Sequence, residues 1–204
     1  MGNGYLLNPV IFLVDTLFGL YILIVMLRLL LQLVRADFYN PLSQFIVKAT
    51  NPPLILLRRL IPGWGGIDMA SVVLVIALQL LAIILVGLLH GGVTEAFSIP
   101  GLLMATVAKL VSLLLYIYLF SIFILAIMSW FATGHYNPVT AILASITDPL
   151  MRPVRRLIPP MGGLDLSALV VILGLYVARM LIMPPLYALT IALGFPPSLL
   201  RLLY

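Results

Sequence analysis

The chain has 204 residues, of which 64% are apolar and only 8% are charged, and its mean hydropathy is +1.25. Soluble domains carry about a quarter charged residues, so this composition excludes a soluble globular protein and indicates an integral membrane protein. The absence of cysteine excludes disulfides, iron–sulfur clusters and thiol nucleophiles. The net charge of +5 is too small to favour direct nucleic-acid binding; in a membrane chain it bears on orientation and on anionic lipid.

Four long apolar stretches follow one another along the chain, and each is long enough for a transmembrane helix, which needs about 20 residues. They cover about residues 9–34, 69–89, 102–131 and 166–193. Residues 90–101, with three glycines and a proline, form a turn between the second and third stretches. Two linkers, residues 35–68 and 132–165, join the other stretches. The sequence therefore predicts an all-α integral membrane protein with four transmembrane helices.

The two linkers are copies of one another. An Arg-Arg-Leu-Ile-Pro run begins at Arg58 and returns 97 residues later at Arg155. At this offset, residues 39–68 and 136–165 align without a gap and share 13 identical positions in 30. Such an ungapped match indicates an internal duplication. We therefore predict two helix–linker–helix repeats, residues 1–101 and 102–204.

The repeats also predict a topology. Two spans return the chain to the side on which it started, so both linkers face one compartment and the repeats are parallel. Seven of the eleven basic residues lie on the linker side. They are Arg35, Lys48, Arg58, Arg59, Arg152, Arg155 and Arg156. By the positive-inside rule both linkers are then cytoplasmic and both termini periplasmic.

The linkers combine basic and apolar residues with four dipeptides in which Asn or Asp precedes Pro. An N-cap side chain before a proline at the first helical position is typical of a helix start, so we expect two short helices per linker. They cover about residues 41–50, 52–61, 138–147 and 149–158, with Asn40, Asn51, Asn137 and Asp148 as caps. In the last helix Arg152, Arg155 and Arg156 share one face, which favours amphipathic helices lying in the membrane interface.

Each linker ends in a tight reversal before the next span. The residues of these reversals are Gly65, Gly66 and Asp68 in the first linker and Gly162, Gly163 and Asp165 in the second. A glycine pair permits a sharp turn, and an aspartate at a helix N-terminus satisfies free amides and the helix dipole. We interpret both aspartates as caps. The sequence leaves open whether each also pairs with the arginines of its own linker.

Four polar residues inside the predicted spans are candidates for a functional or structural role. They are Asp15, Arg28, Gln79 and Arg179. Arg179 lies near the middle of the fourth span, where an unpaired charge costs about 2.5–3.5 kcal/mol on insertion scales, so it should face the bundle or a wet cavity. Its candidate neighbours are Gln32, Gln79, Ser129 and Tyr176. Tyr116 is interpreted as an ordinary span aromatic. A polar cluster joining helices and a site on an ion or solute path both remain open.

Sequence motifs of known catalytic chemistry are absent. There is no phosphate-binding loop, no dinucleotide fingerprint, no nucleophile elbow and no His-Glu-x-x-His motif. His90 and His135 fall at opposite ends of the predicted spans, roughly 30 Å apart, and therefore cannot share one metal. We predict that the protein is not an enzyme and holds neither a cofactor nor a metal.

The doubled Asn-Pro, Thr-Asn/Asp-Pro, Arg-Arg-Leu-Ile-Pro and Gly-Gly-Ile/Leu-Asp elements, with Trp130 ending the third span, closely resemble the YggT family. These are bacterial inner-membrane proteins with YlmG-type relatives in Gram-positive bacteria, cyanobacteria and chloroplasts. The resemblance covers nearly the whole chain, and the two copies are similar to the proteobacterial form. It implies an inner-membrane location and supplies no catalytic residues. It also links proteobacterial relatives with tolerance of osmotic stress and potassium limitation, and plastid and cyanobacterial relatives with nucleoid distribution, division and cytochrome assembly.

Two hypotheses about function follow. The first is a non-enzymatic inner-membrane scaffold or assembly factor connected with osmotic-stress tolerance. Its linkers would bind anionic lipid head groups, a membrane-protein partner or a second copy of the chain. The candidate binding residues are Arg58, Arg59, Arg152, Arg155 and Arg156. The alternative is a small ion or osmolyte channel or transporter subunit acting as an oligomer, with Asp15, Gln79 and Arg179 lining a path.

Overall fold

The computed structural model describes residues 3–90, 98–130, 137–158 and 165–203. Within these ranges the chain forms six α-helices and a C-terminal 3-10 helix. They are α1 (Asn3–Leu33), α2 (Pro41–Leu60), α3 (Met69–Leu89), α4 (Ile99–Trp130), α5 (Pro138–Leu157), α6 (Leu166–Ala192) and the 3-10 helix Pro197–Leu203. Four of them, α1, α3, α4 and α6, are long and apolar enough to cross a membrane. The predicted class, an all-α integral membrane protein with four transmembrane helices, is confirmed.

The membrane helices agree closely with the predicted spans. α3 has the predicted bounds, α4 begins slightly early at Ile99, and α6 continues through Pro184 and Pro185. The agreement has a physical reason, since an apolar segment of this length satisfies its backbone in lipid by forming a helix.

The two transmembrane helices of each repeat pack against each other. α1 packs along α3, α4 packs along α6, and the two pairs meet where α3 contacts α4. The first core is built around Ile22, Val25 and Leu31 of α1, and the second includes Ile122 of α4 and Phe195 near the C-terminus. The other faces of the spans carry exposed Leu, Ile and Phe side chains, which suits a surface in contact with lipid.

In the described part of each linker the chain forms one continuous helix, so the prediction of two short helices per linker is wrong. Both linker helices contain prolines in their interiors. These prolines are Pro52 and Pro53 in α2 and Pro149 and Pro153 in α5. Asn51 and Asp148, which the sequence predicts to be caps, therefore lie inside the helices. The remaining two Asn-Pro pairs stand where the helices begin.

Those two starts have the geometry that the Asn-Pro pairs predict. Asn40 Oδ1 accepts a hydrogen bond from the Leu42 amide, and Asn137 Oδ1 accepts one from the Val139 amide, both at 2.9 Å. The Asn40 side chain also donates to the carbonyl of Pro138 at 2.8 Å. The starts of the two linker helices therefore contact each other.

Contacts from α1 explain why α2 continues past its prolines. A proline inside a helix leaves the carbonyl four residues earlier without its usual donor. For Pro53 this is the carbonyl of Ala49, and the Tyr21 hydroxyl of α1 donates to it at 3.4 Å. Arg28 of α1 also donates to the carbonyl of Val47 at 3.2 Å. The neighbouring span thus stabilises a helix that local sequence rules would end.

After α2 the chain reverses through a tight turn. The Trp64 amide donates to the Ile67 carbonyl at 3.2 Å, and the Ile67 amide donates to the Trp64 carbonyl at 3.0 Å. Between them φ is +60° at Gly65 and +81° at Gly66, in the left-handed region that favours glycine. This reversal therefore depends on the glycine pair. The corresponding residues of the second linker, Gly162 and Gly163, lie outside the described residues, as does His135.

Candidate functional site

An ion pair joins the last turn of α2 to the start of α3. Arg58 Nη2 lies 2.5 Å and Arg58 Nε 3.2 Å from Asp68 Oδ2, and the Ser71 hydroxyl donates to the same oxygen at 2.6 Å. The Asp68 side chain is only 7% exposed, so its carboxylate depends on these donors. Burial raises the pKa of Asp68, but the hydrogen bonds from Arg58 and Ser71 and the charge of Arg58 outweigh it. The pKa of Asp68 therefore lies below its ordinary value.

The second repeat has the matching pair. Arg155 Nη2 and Nε lie 2.8 Å and 3.1 Å from Asp165 Oδ2. The other carboxylate oxygen accepts from the amide of Ser167 at 3.1 Å and from its hydroxyl, so Asp165 caps α6, whereas Asp68 makes no side-chain cap bond. Burial raises the pKa of Asp165. The hydrogen bonds from Ser167 and Arg155 and the charge of Arg155 outweigh burial, so the pKa of Asp165 lies below its ordinary value. Each linker is thus closed by its own arginine and aspartate.

These pairs divide the predicted binding residues into two groups. Arg58 and Arg155 are engaged in closing the linkers. Their neighbours Arg59 and Arg156, which occupy equivalent positions in the two repeats, are exposed. Within the part of the chain that the structure describes, neither makes an ion pair or a side-chain hydrogen bond. Arg59 and Arg156 are therefore the members of the two doublets available to a ligand.

Arg152, the remaining predicted binding residue, pairs with Asp148 one helical turn earlier. Arg152 Nη2 lies 2.5 Å from Asp148 Oδ2, and the side chains of Arg152 and Asp148 are 66% and 42% exposed. An exposed pair at this spacing contributes only about 0.3–0.5 kcal/mol, so it opens easily. Asp148 therefore acts as an acceptor inside α5 instead of as a helix cap.

Exposed apolar side chains surround the available arginines. Leu60 follows Arg59 and is 81% exposed, and Leu157 follows Arg156 and is 82% exposed. Trp64, in the turn after α2, is 81% exposed. Apolar groups exposed beside basic ones on a helix next to a membrane are typical of a helix that lies in the lipid interface.

Arg28 is a buried residue that joins α1 to α2. Its Nη1 donates to Thr50 Oγ1 at 2.6 Å, to Asn51 Oδ1 at 2.9 Å and to the Val47 carbonyl at 3.2 Å. A buried guanidinium requires such acceptors because an unpaired charge is costly away from water. The sequence places Arg28 in a span but does not identify its partners. The sequence signal for these partners was the triplet Thr50-Asn51-Pro52, but by local rules this triplet predicts a helix start.

The intramembrane residue Asp15 pairs with Lys109 of α4, with 3.4 Å between Oδ1 and Nζ. Lys109 was missed by the sequence analysis, although a lysine inside the third span was a usable signal. The pair borders a cavity of about 180 Å³ that is also lined by Gln79, Ser112 and Tyr116. Asp15 and Gln79, which the alternative hypothesis places along one path, therefore line the same cavity.

Arg179 lies over the ring of Tyr116, with Cζ 4.6 Å from the ring centroid. A guanidinium over an aromatic face is attracted by the ring quadrupole, which offsets part of the cost of placing the charge in the span. In the described part of the chain its buried Nε has no hydrogen-bond partner. The interpretation of Tyr116 as an ordinary span aromatic is therefore wrong, because its ring contacts the guanidinium group of Arg179.

Comparison with known sequences assigns this architecture to a family. A profile described as CCB3/YggT matches the chain twice, at residues 7–89 and 104–186. The chain belongs to the CCB3/YggT family. Each match contains two spans and the linker between them, so the resemblance to the YggT family in its two-copy form is confirmed.

Several relatives match over most of their length. "Uncharacterized protein PA0392" of Pseudomonas aeruginosa is 49% identical over 189 residues, which is 93% of this chain and 94% of that one. A Vibrio alginolyticus protein, "Uncharacterized protein in proC 3'region", is 43% identical over 86% of this chain and 94% of its own. "Uncharacterized protein YggT" of Escherichia coli K12 is 40% identical over 85% and 89%. No solved structure matches significantly. The names of these relatives state no activity. Among the described residues no group of three His, Asp or Glu side chains could hold a metal.

Replacing Arg58 by Gln should destabilise the folded protein by about 1–3 kcal/mol, because it removes the main donor to a buried carboxylate. Arg155→Gln should cost less, since Asp165 is more exposed and keeps its bonds to Ser167. The exposed neighbour gives a matched control, and Arg59→Gln should leave stability unchanged. Thermal unfolding in detergent at pH 7 measures this order. Equal effects of Arg58→Gln and Arg59→Gln would contradict the role of the pair.

The pH dependence of the same variants provides the second readout. Because the pKa of Asp68 is lowered in the folded protein, the pair stabilises the fold above a pH of about 4 and loses this effect as the pH falls further. In Arg58→Gln the hydrogen bonds and the charge of Arg58 are lost while burial remains, so the pKa of Asp68 is higher than in wild type and the variant loses less stability on acidification. The stability difference between wild type and variant should therefore shrink below about pH 4. A difference that stays constant down to pH 3 would contradict the pairing.

Proposed function

We propose that the protein is a non-enzymatic scaffold or assembly factor of the bacterial inner membrane, linked to osmotic-stress tolerance. Its two basic amphipathic linkers bind anionic lipid or a partner protein at the cytoplasmic surface. Arg59 and Arg156 are the central contact residues, whereas Arg58 and Arg155 hold the linkers in shape.

The observation that carries this proposal is the equivalence of Arg59 and Arg156. Both are exposed, both adjoin an arginine that is already engaged with an aspartate, and both are followed by an exposed leucine. A basic residue close to an anionic membrane surface contributes about 1 kcal/mol, and buried apolar side chains add to it. Two such sites on one chain give a small bivalent surface for lipid.

The topology supports the same reading. Two spans per repeat put both linker helices on one side of the membrane, and α2 contacts α5 there. The exposed Arg35 and Lys48 lie on that side as well. The positive-inside rule favours a cytoplasmic location for this surface, where anionic head groups are available.

The double variant Arg59→Gln/Arg156→Gln should lose most of the response to anionic lipid while remaining folded. Purified protein in detergent is titrated with phosphatidylglycerol or phosphatidylcholine, and thermal unfolding is followed. Wild type should be stabilised by phosphatidylglycerol only, because binding to the folded state raises the unfolding temperature. Arg201→Gln removes an exposed basic residue after α6, at the end of the spans opposite the linkers, and is the control. A double variant that responds as wild type does would rule out these arginines as the lipid site.

A second candidate function rests on the cavity beside Asp15. Asp15, Gln79 and Lys109 bring polar groups into the membrane region, and Tyr116 connects them with Arg179. Ionisable groups at such depth are characteristic of ion or solute paths. On this hypothesis the protein is a channel or transporter subunit that acts as an oligomer.

Liposomes that contain only this protein distinguish the second candidate from the first. A path through this region predicts protein-dependent potassium or osmolyte flux that Arg179→Leu or Asp15→Asn changes at least severalfold. Arg59→Gln/Arg156→Gln should leave that flux intact. Absence of flux in liposomes with verified insertion would reject the channel hypothesis.

A further inference from the structure

The duplication allows the surroundings of Arg28 to be compared with the same place in the second repeat. The three acceptors of Arg28 are the Val47 carbonyl, Thr50 Oγ1 and Asn51 Oδ1. At the offset of 97 residues their counterparts are Ala144, Thr147 and Asp148 of α5. The counterpart of Arg28 itself is Leu125 of α4. The second repeat therefore keeps the acceptor positions and lacks the donor.

A cavity lies in the place of the missing guanidinium. It has a volume of about 280 Å³ and lies between α4, α5 and α6. Its lining includes Leu125, Ala144, Thr147 and Asp148, which are the counterparts of Arg28 and its three partners. A water molecule takes up about 30 Å³ of liquid, so this space is large enough for a small organic group.

The charges at this place also differ between the repeats. Where the chain supplies its own cation, the acceptor next to Thr50 is the neutral amide of Asn51. Where the cation is missing, the acceptor next to Thr147 is the carboxylate of Asp148. Asparagine suits an internal guanidinium, whereas a carboxylate attracts an external cation more strongly.

The other charged groups that line the cavity already form ion pairs. Arg155 lines it, and its charge is balanced by Asp165, which lines it too. Asp148 Oδ2 accepts from Arg152, but that pair is exposed and weak, and Arg152 does not line the cavity. Beyond these pairs, Ser129 and Thr140 add hydroxyl groups to the lining. A cation entering the cavity thus meets several acceptors and the Asp148 carboxylate, whose partner Arg152 is exposed and lies outside the cavity lining.

We propose that the second repeat binds a small organic cation bearing a guanidinium group in this cavity. Its planar set of N–H donors would reach the Thr147 hydroxyl, the Ala144 carbonyl and the Asp148 carboxylate, as Arg28 reaches their counterparts. The site is separate from the lipid surface at Arg59 and Arg156. The cavity is bordered by Asp148 and Arg155 at the linker side of the membrane, so the ligand enters from the compartment that the linkers face.

Equilibrium dialysis of the detergent-purified full chain with radiolabelled methylguanidinium tests the proposal. Wild type should bind one molecule per chain saturably, and equal concentrations of sodium or tetramethylammonium chloride should not compete. Asp148→Asn should weaken binding by about tenfold, the effect of losing one charge-assisted hydrogen bond. Arg59→Gln/Arg156→Gln should bind methylguanidinium as wild type does, so failure of the lipid proposal and failure of this one are distinguishable.

Comparison of the two repeats suggests the most informative variant for testing the cavity. Leu125→Arg recreates in the second repeat the residue that the first repeat has, so it should fill the cavity, abolish methylguanidinium binding and raise the unfolding temperature. Leu125→Met is the matched control and should retain binding. No saturable binding to wild type, or undiminished binding to both Leu125→Arg and Asp148→Asn, would overturn the proposal. If Leu125→Arg does not fold, the comparison of Asp148→Asn with wild type decides.

Discussion

The ion pair between the last turn of each linker helix and the residue before the next span fixes the form of the repeat. Arg58 and Asp68, and likewise Arg155 and Asp165, are ten residues apart and meet across the reversal. Because Asp68 is buried and Asp165 is partly buried, removing an arginine leaves a carboxylate without its ion-pair partner. The pair holds the linker helix against the membrane helix. This arrangement leaves the second arginine of each doublet exposed.

The two repeats have the same arrangement of helices but differ in the side chains between the first span and the linker helix. In the first, Arg28 fills the space between α1 and α2 and stabilises a helix interrupted by prolines. In the second, Leu125 leaves that space open and a carboxylate replaces the amide. One copy is therefore completed by its own side chain, and the other has room for a ligand. The same helix pairs remain in contact in both repeats, α1 with α3 and α4 with α6.

Sequence alone predicts the spans, the duplication and the reversals, because they depend on long apolar runs, repeated motifs and glycine. It fails where distant side chains override a local rule. Asn51-Pro52 has the pattern of a helix start, but the helix continues. Tyr21 of α1 donates to the Ala49 carbonyl that Pro53 leaves without a donor, and Arg28 of α1 donates to the Val47 carbonyl. The contacts of Lys109 with Asp15 and of Tyr116 with Arg179 depend on how α4 packs, which the order of residues does not specify.

Parallel repeats require both linkers to lie on the same face of the membrane, and site-directed labelling measures this directly. The chain has no cysteine, so Gln44→Cys in α2, Val139→Cys in α5 and His90→Cys at the far end of α3 each provide a unique thiol. Spheroplasts and lysed spheroplasts are treated with a membrane-impermeant maleimide. Parallel repeats predict that Gln44→Cys and Val139→Cys are labelled from one side and His90→Cys from the other. By the positive-inside rule, the two linker positions should be labelled only after lysis and His90→Cys before it. Labelling of the two linker positions from opposite sides would contradict the parallel arrangement.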